Sequence, residues 1–161
     1  NIGILILQFF CKNHWLALLI CKFHSCNSCC IIQHKGSLEI KMTEQEIFNK
    51  VYKHLLSQNA ISERQGKTKR TGMYCAYRGE NGTKCSIGSL INDDEYVPEM
   101  EEKNVTEMLE IAPSTLKDRL TPHLKLLKRL QGIHDNSGPV FWPRYLQEIS
   151  EEFQLTIPET H

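Results

Sequence analysis

The chain has 161 residues, with 19 Lys+Arg against 19 Asp+Glu and a formal net charge of zero. That length suits one domain, and 40% hydrophobic with 24% charged residues is the balance of a chain that folds, not of one that stays disordered. Zero net charge excludes a protein whose whole surface attracts polyanions.

Five of the seven cysteines, Cys11, Cys21, Cys26, Cys29 and Cys30, fall in the first 41 residues. Those residues hold four of the basic groups and one of the acidic ones, which leaves the remainder of the chain at −3. The first methionine is Met42. A membrane span fits poorly, because Lys12, Asn13 and His14 split the apolar runs into pieces about half the length a spanning helix requires. A signal peptide fits no better, for want of a basic start and a small-residue cleavage site. His24, Cys26, Cys29, Cys30 and His34 have the close spacing that zinc favours, but one C-x-x-C without a second pair does not complete a knuckle. The reading adopted is that residues 1–41 are upstream sequence translated in frame, or a disordered leader. The domain is then 42–161.

From Met42 the pattern predicts an α+β domain: an N-terminal helix, a β-hairpin, then three to four helices around one core. Thr43-Glu44-Gln45-Glu46 is a capping box. Ile47, Phe48, Val51, Tyr52, Leu55 and Leu56 follow at helical spacing, so the first helix is expected over about 44–58. Residues 62–72 hold no apolar side chain but carry Arg64, Lys67, Lys69 and Arg70, and read as a solvated loop, with a small phosphate- or acid-binding patch as the functional alternative. Met73–Arg78 and Thr83–Leu90 flank a turn containing Asn81-Gly82, a strong hairpin signal. Pairing Gly79 with Thr83 sets Tyr77 opposite Cys85 and Cys75 opposite Ile87. These four then share the core face, and Arg78, Lys84 and Ser86 the other. In that register Cys75 and Cys85 are diagonal neighbours, roughly 7 Å apart at Cβ and too far for an unstrained disulfide. They read as buried thiols in a reducing compartment, with a redox pair and metal ligation as the alternatives.

Residues 92–102 contain six carboxylates and read as a solvated acidic turn, because no glycine stands where a calcium-binding loop would turn. Asn104 caps a short helix to about Glu110, and Ser114 caps another over 115–120. Thr121-Pro122 restarts the chain as a helix to about Ile133, and a last helix runs from about Pro143 to Glu152. Residues 105–120 superficially resemble a helix-turn-helix that would turn Lys117 and Arg119 toward a DNA groove, although Glu110 occupies the usual glycine position.

The order Cys75-Ala76-Tyr77-Arg78-Gly79, Gly82-x-Lys84-Cys85-x-Ile87-Gly88-x-Leu90-Ile91, Asp94-Glu95-Tyr96-x-Pro98-x-Met100-Glu101, then Leu130-Gln131-x-x-His134-Asp135 and Trp142, resembles a family of short uncharacterised proteins encoded by bacteriophages and bacterial genomes. The resemblance covers about Met42 to Leu155 and implies a cytoplasmic protein of a phage or its host. It brings no established activity. Asn92 and Glu102 depart from the family's pattern, where Pro and Gly are commoner.

His134-Asp135 is the strongest catalytic candidate, a general base oriented by a carboxylate with Arg78 as an anion clamp. A histidine at a helix C-terminus also has a structural account. No phosphate-binding loop, dinucleotide fingerprint, zinc-protease or serine-hydrolase motif occurs in the sequence. The function expected is a non-enzymatic accessory protein that binds a host or phage protein, with no cofactor, metal or membrane. Its surfaces would be Arg78 and Lys84 on the hairpin and Asp93, Asp94 and Glu95 on the acidic turn. The alternatives are DNA binding through 105–120 and a small hydrolase centred on His134.

Overall fold

The computed structural model describes residues 41–66 and 72–159. The readings made for the cysteine-rich stretch before Lys41 lie outside those residues.

Helix α1 (Glu44–Gln58) begins at the expected capping box. The Thr43 hydroxyl accepts from the Glu46 amide at 3.2 Å, and the Glu46 carboxylate accepts from the Thr43 amide at 2.7 Å. Its end is set by Asn59, which takes a left-handed conformation at φ 45° and donates to the Leu55 carbonyl, a common helix stop. The face carrying Ile47, Phe48, Val51 and Leu55 is fully buried.

The hairpin forms elsewhere than the sequence suggests. Strand β1 (Glu63–Gln65), inside the stretch read as a loop, pairs antiparallel with β2 (Met73–Cys75) in the register Glu63–Cys75, Arg64–Tyr74, Gln65–Met73. At the expected site only one bridge forms, Arg78 with Lys84. The Asn81-Gly82 turn is present, with both residues at positive φ (56° and 75°), as a tight hairpin turn requires. Gly79 and Thr83 form the hydrogen-bonded pair, so the next ladder amide is that of Tyr77, and the ladder stops because a side chain claims it first. The Glu101 carboxylate accepts from the Tyr77 and Arg78 amides. The Gln58 carboxamide brackets Lys84, accepting from its amide and donating to its carbonyl. Beyond Cys85 the chain winds into a short turn, Gly88–Leu90. Cys75 therefore opposes Glu63, not Ile87. Ser86, expected on the outer face, is buried.

Four helices follow: α2 (Val105–Ile111), α3 (Ser114–Leu120), α4 (Leu124–Asn136) and α5 (Trp142–Glu152). Asn104 caps α2 through the Thr106 and Glu107 amides. Ser114 is the first residue of α3 and not its cap, and Thr121-Pro122 continues as a single tight turn, Thr121–His123, before α4. The architecture is the α+β fold expected. One core joins the α1 face to Leu116, Leu120, Leu127, Leu130, Trp142, Leu146 and Ile149. Among the described residues, no helix is long and apolar enough to cross a membrane.

Candidate functional site

The last turn of α4 carries His134 and Asp135 beneath β2. One ligand-type atom from each of Cys75, His134 and Asp135 lies within 4.8 Å of the others. This is the group among the described residues with the geometry to attract a metal ion. The histidine decides against it. The residue is 1% exposed, and its ring stacks on Trp142 at 5.6 Å between centroids. Nε2 accepts from the Ser62 backbone amide at 3.2 Å. That bond uses the Nε2 lone pair, so the ring proton resides on Nδ1, which faces Asp135 Oδ1 at 3.3 Å and donates to it. A protonated Nδ1 offers no electron pair to a metal, and neither nitrogen is free to take a proton from a substrate. Removing the Ser62 bond would orphan a buried donor.

Cys75 completes the arrangement. Burial, then the charge of Asp135 and a hydrogen bond to it, push its thiol up to about 12. It is a thiol donor to the carboxylate, the reverse of an activated nucleophile. Cys85 is 4% exposed, and burial likewise pushes it to about 12. Its sulfur accepts from the Gly88 amide at 3.2 Å. The two thiols thus behave as fillers, although Cys75 is only half-buried.

Arg78 does not join His134 as an anion clamp. Its guanidinium donates to the Gly88 and Ile91 carbonyls at 2.7 Å each and to Asp93 at 2.9 Å, and lies over the Tyr96 ring. It ties together the loop that follows the Asn81-Gly82 turn. Lys84 reaches the same Asp93 carboxylate at 3.4 Å, so Arg78, Lys84 and Asp93 do form one cluster. Asp94 stands exposed beside it.

Glu95 departs from the solvated acidic turn. It is 5% exposed and grips Arg119 through both oxygens, at 3.0 and 2.7 Å. Burial works to raise its pKa, but the Arg119 guanidinium, the Asn92 amide and the Thr115 hydroxyl outweigh it and hold the carboxyl below its ordinary value. Arg119 also donates to the Leu90 carbonyl. The residue read as reaching for a DNA groove therefore turns inward to make a partly buried fork-to-fork pair. Lys117 is exposed on α3.

Two features escaped the sequence. Glu101 is one, its carboxylate taking the Tyr77 and Arg78 amides and the Tyr96 hydroxyl. The other is an open groove of about 510 Å³ between β2, the 102–104 segment and α4, lined by Tyr74, Cys75, Glu102, Asn104, Gln131 and Asp135 among others. The signal for Glu101 was its place in the repeated acidic pattern, which does not say which carboxylate turns inward.

Comparison with protein families, with characterised proteins and with solved structures yields no match.

Proposed function

We propose that the domain from Met42 onward is a small cytoplasmic accessory protein, of phage or bacterial origin, that works by binding another protein. The supporting observation is the corner between α4 and α5. Val140 and Phe141, adjacent in the turn Pro139–Phe141, are 80% and 54% exposed, while Trp142 beside them is fully buried. Tyr145, one turn on, lines a shallow groove of about 300 Å³ with Ile133 and Ser137. Adjoining exposed apolar side chains of this kind mark surfaces that another protein covers. The closed hydrogen bonding of His134 and the raised thiol of Cys75 supply nothing comparable for turnover.

Affinity capture from lysate of the cells that carry the gene tests this, with the Val140→Ser/Phe141→Ser double variant run in parallel. The expected result is a partner retained by the native chain and lost by the variant, whose melting temperature is unchanged. Equal capture by both, or turnover of a small molecule in the absence of any specific partner, would overturn the proposal.

A further inference from the structure

Among the described residues, the backbone of β2 has one edge satisfied and one open. The Ala76 amide bonds the Ser62 carbonyl, and the Gly66 amide bonds the Gly72 carbonyl. In the observed register these are the hydrogen-bonded pairs, so the Arg64–Tyr74 pair is another. Antiparallel ladders alternate. The amides and carbonyls of Met73 and Cys75 therefore point away from β1, and among the described residues they meet no backbone partner. The next group in that series, the Tyr77 amide, is already closed by Glu101. The opposite side of the hairpin is not equivalent, because a β-carbon on Gly79 would come within 2.9 Å of the Glu63 amide. That edge already abuts its own chain. The open edge borders the groove, since Tyr74 and Cys75, whose side chains alternate across the strand, both line it.

The charge along this edge selects the occupant. Glu102 and Asp135 line the groove with one cation, Lys103. After burial, the charges acting on the Tyr74 hydroxyl are chiefly Glu101 and Glu102, opposed by Arg64. Those acting on Cys75 are Asp135 and Glu63. A cation laid over this edge meets the carboxylates of Glu102 and Asp135. A second copy pairing through the same edge would present Met73-Tyr74-Cys75, which carries no charge.

We propose that the outer edge of β2 receives an extended segment of another protein as a third strand, with a Lys or Arg of that segment over Glu102 and Asp135. Main-chain bonds to Met73 and Cys75 supply the affinity and the cation sets the choice of segment, as in recognition by strand addition. This inference rests on the binding reading only in taking a protein as the partner; it concerns a different surface.

The test uses the full chain and capped pentapeptides, Thr-Val-X-Val-Thr, with X as Lys, Gln or Glu, followed by residue-resolved amide exchange. The Lys peptide, at about 1 mM, is expected to slow exchange at Met73 and Cys75 about fivefold or more, with the Gln peptide weaker and the Glu peptide without effect. Glu102→Gln, at an exposed position, is expected to narrow the gap between the Lys and Glu peptides. Asp135→Asn is expected to narrow it further, provided its melting curve remains cooperative. Three results would overturn the proposal: no protection by the Lys peptide, equal protection by Lys and Glu peptides, or protection that rises with protein concentration alone. The last assigns the edge to a second copy. Because the peptides are synthetic, failure here leaves the lysate capture at Val140 and Phe141 untouched.

Discussion

Replacing His134 with alanine removes the acceptor of the Ser62 amide and the ring stacked on Trp142 in one step. A buried donor left unpaired and a cavity at the same place together cost about 3 kcal/mol or more. Urea unfolding is the measurement, and an unchanged midpoint would return His134 to the list of catalytic candidates. His54 makes a separate prediction. Burial outweighs the opposing effect of its 2.8 Å bond to the Lys84 carbonyl and depresses its pKa below the ordinary 6.5. The unfolded chain thus takes up this proton first. The contribution to stability is complete above pH 6.5 and is lost as pH falls through the folded value. Glu95 is also depressed, below 4.5, so its share is present above that pH and is lost as pH falls through its own, lower folded value. Melting temperature measured against pH should decline in two stages, and His54→Gln should flatten the upper one alone. The thiols at Cys75 and Cys85, both near 12, should resist alkylation in native buffer at about pH 8 and react fully in denaturant, as read from the modified peptides. Rapid native labelling at both would contradict their role as inert packing.

The helices were legible because their signals are local. A capping box, a run at helical spacing and a Pro after Thr are all contained within one or two turns of sequence, and α1, α2, α4 and α5 start within a few residues of expectation. The hairpin was not, for two physical reasons. Strand β1 is Glu-Arg-Gln, with no apolar side chain to announce it. The strands expected downstream lost the Tyr77 amide to Glu101, 24 residues away in sequence. No local rule sees such a competitor. The consequence is testable at Glu101. Glu101→Gln keeps the shape but replaces one of the two acceptor oxygens that hold two amides and a hydroxyl, and should cost about 2 kcal/mol, against about 1 kcal/mol for Thr43→Ala at the cap of α1. Chemical denaturation of the two variants side by side gives the comparison. If Glu101→Gln proved the milder, the carboxylate would not be what ends the ladder.

At the scale of the whole molecule, the core was legible in outline. Of the apolar face expected on α1, Ile47, Phe48, Val51 and Leu55 are buried, with Tyr52 and Leu56 partly buried against the core. The candidate site was legible as a set of residues but not as a role. Cys75, His134 and Asp135 were each singled out, and the fold does bring them together; what sequence could not supply was the Ser62 amide that closes the imidazole. Arg119 illustrates the same gap, since a basic side chain at a helical surface position is read as outward until a buried carboxylate is placed opposite it. Close packing sets one further limit: a β-carbon at Gly88 would sit on the Tyr77 carbonyl, so even alanine there should shift the loop from its seat. Glu102 carries a different implication. It occupies φ 62°, a conformation glycine adopts freely and other residues only under strain. A negative group beside the groove thus sits on a strained bend of the backbone. Glu102→Gly should melt higher than its parent while discriminating less between cationic and anionic peptides, a trade between durability and discernment lodged in one side chain.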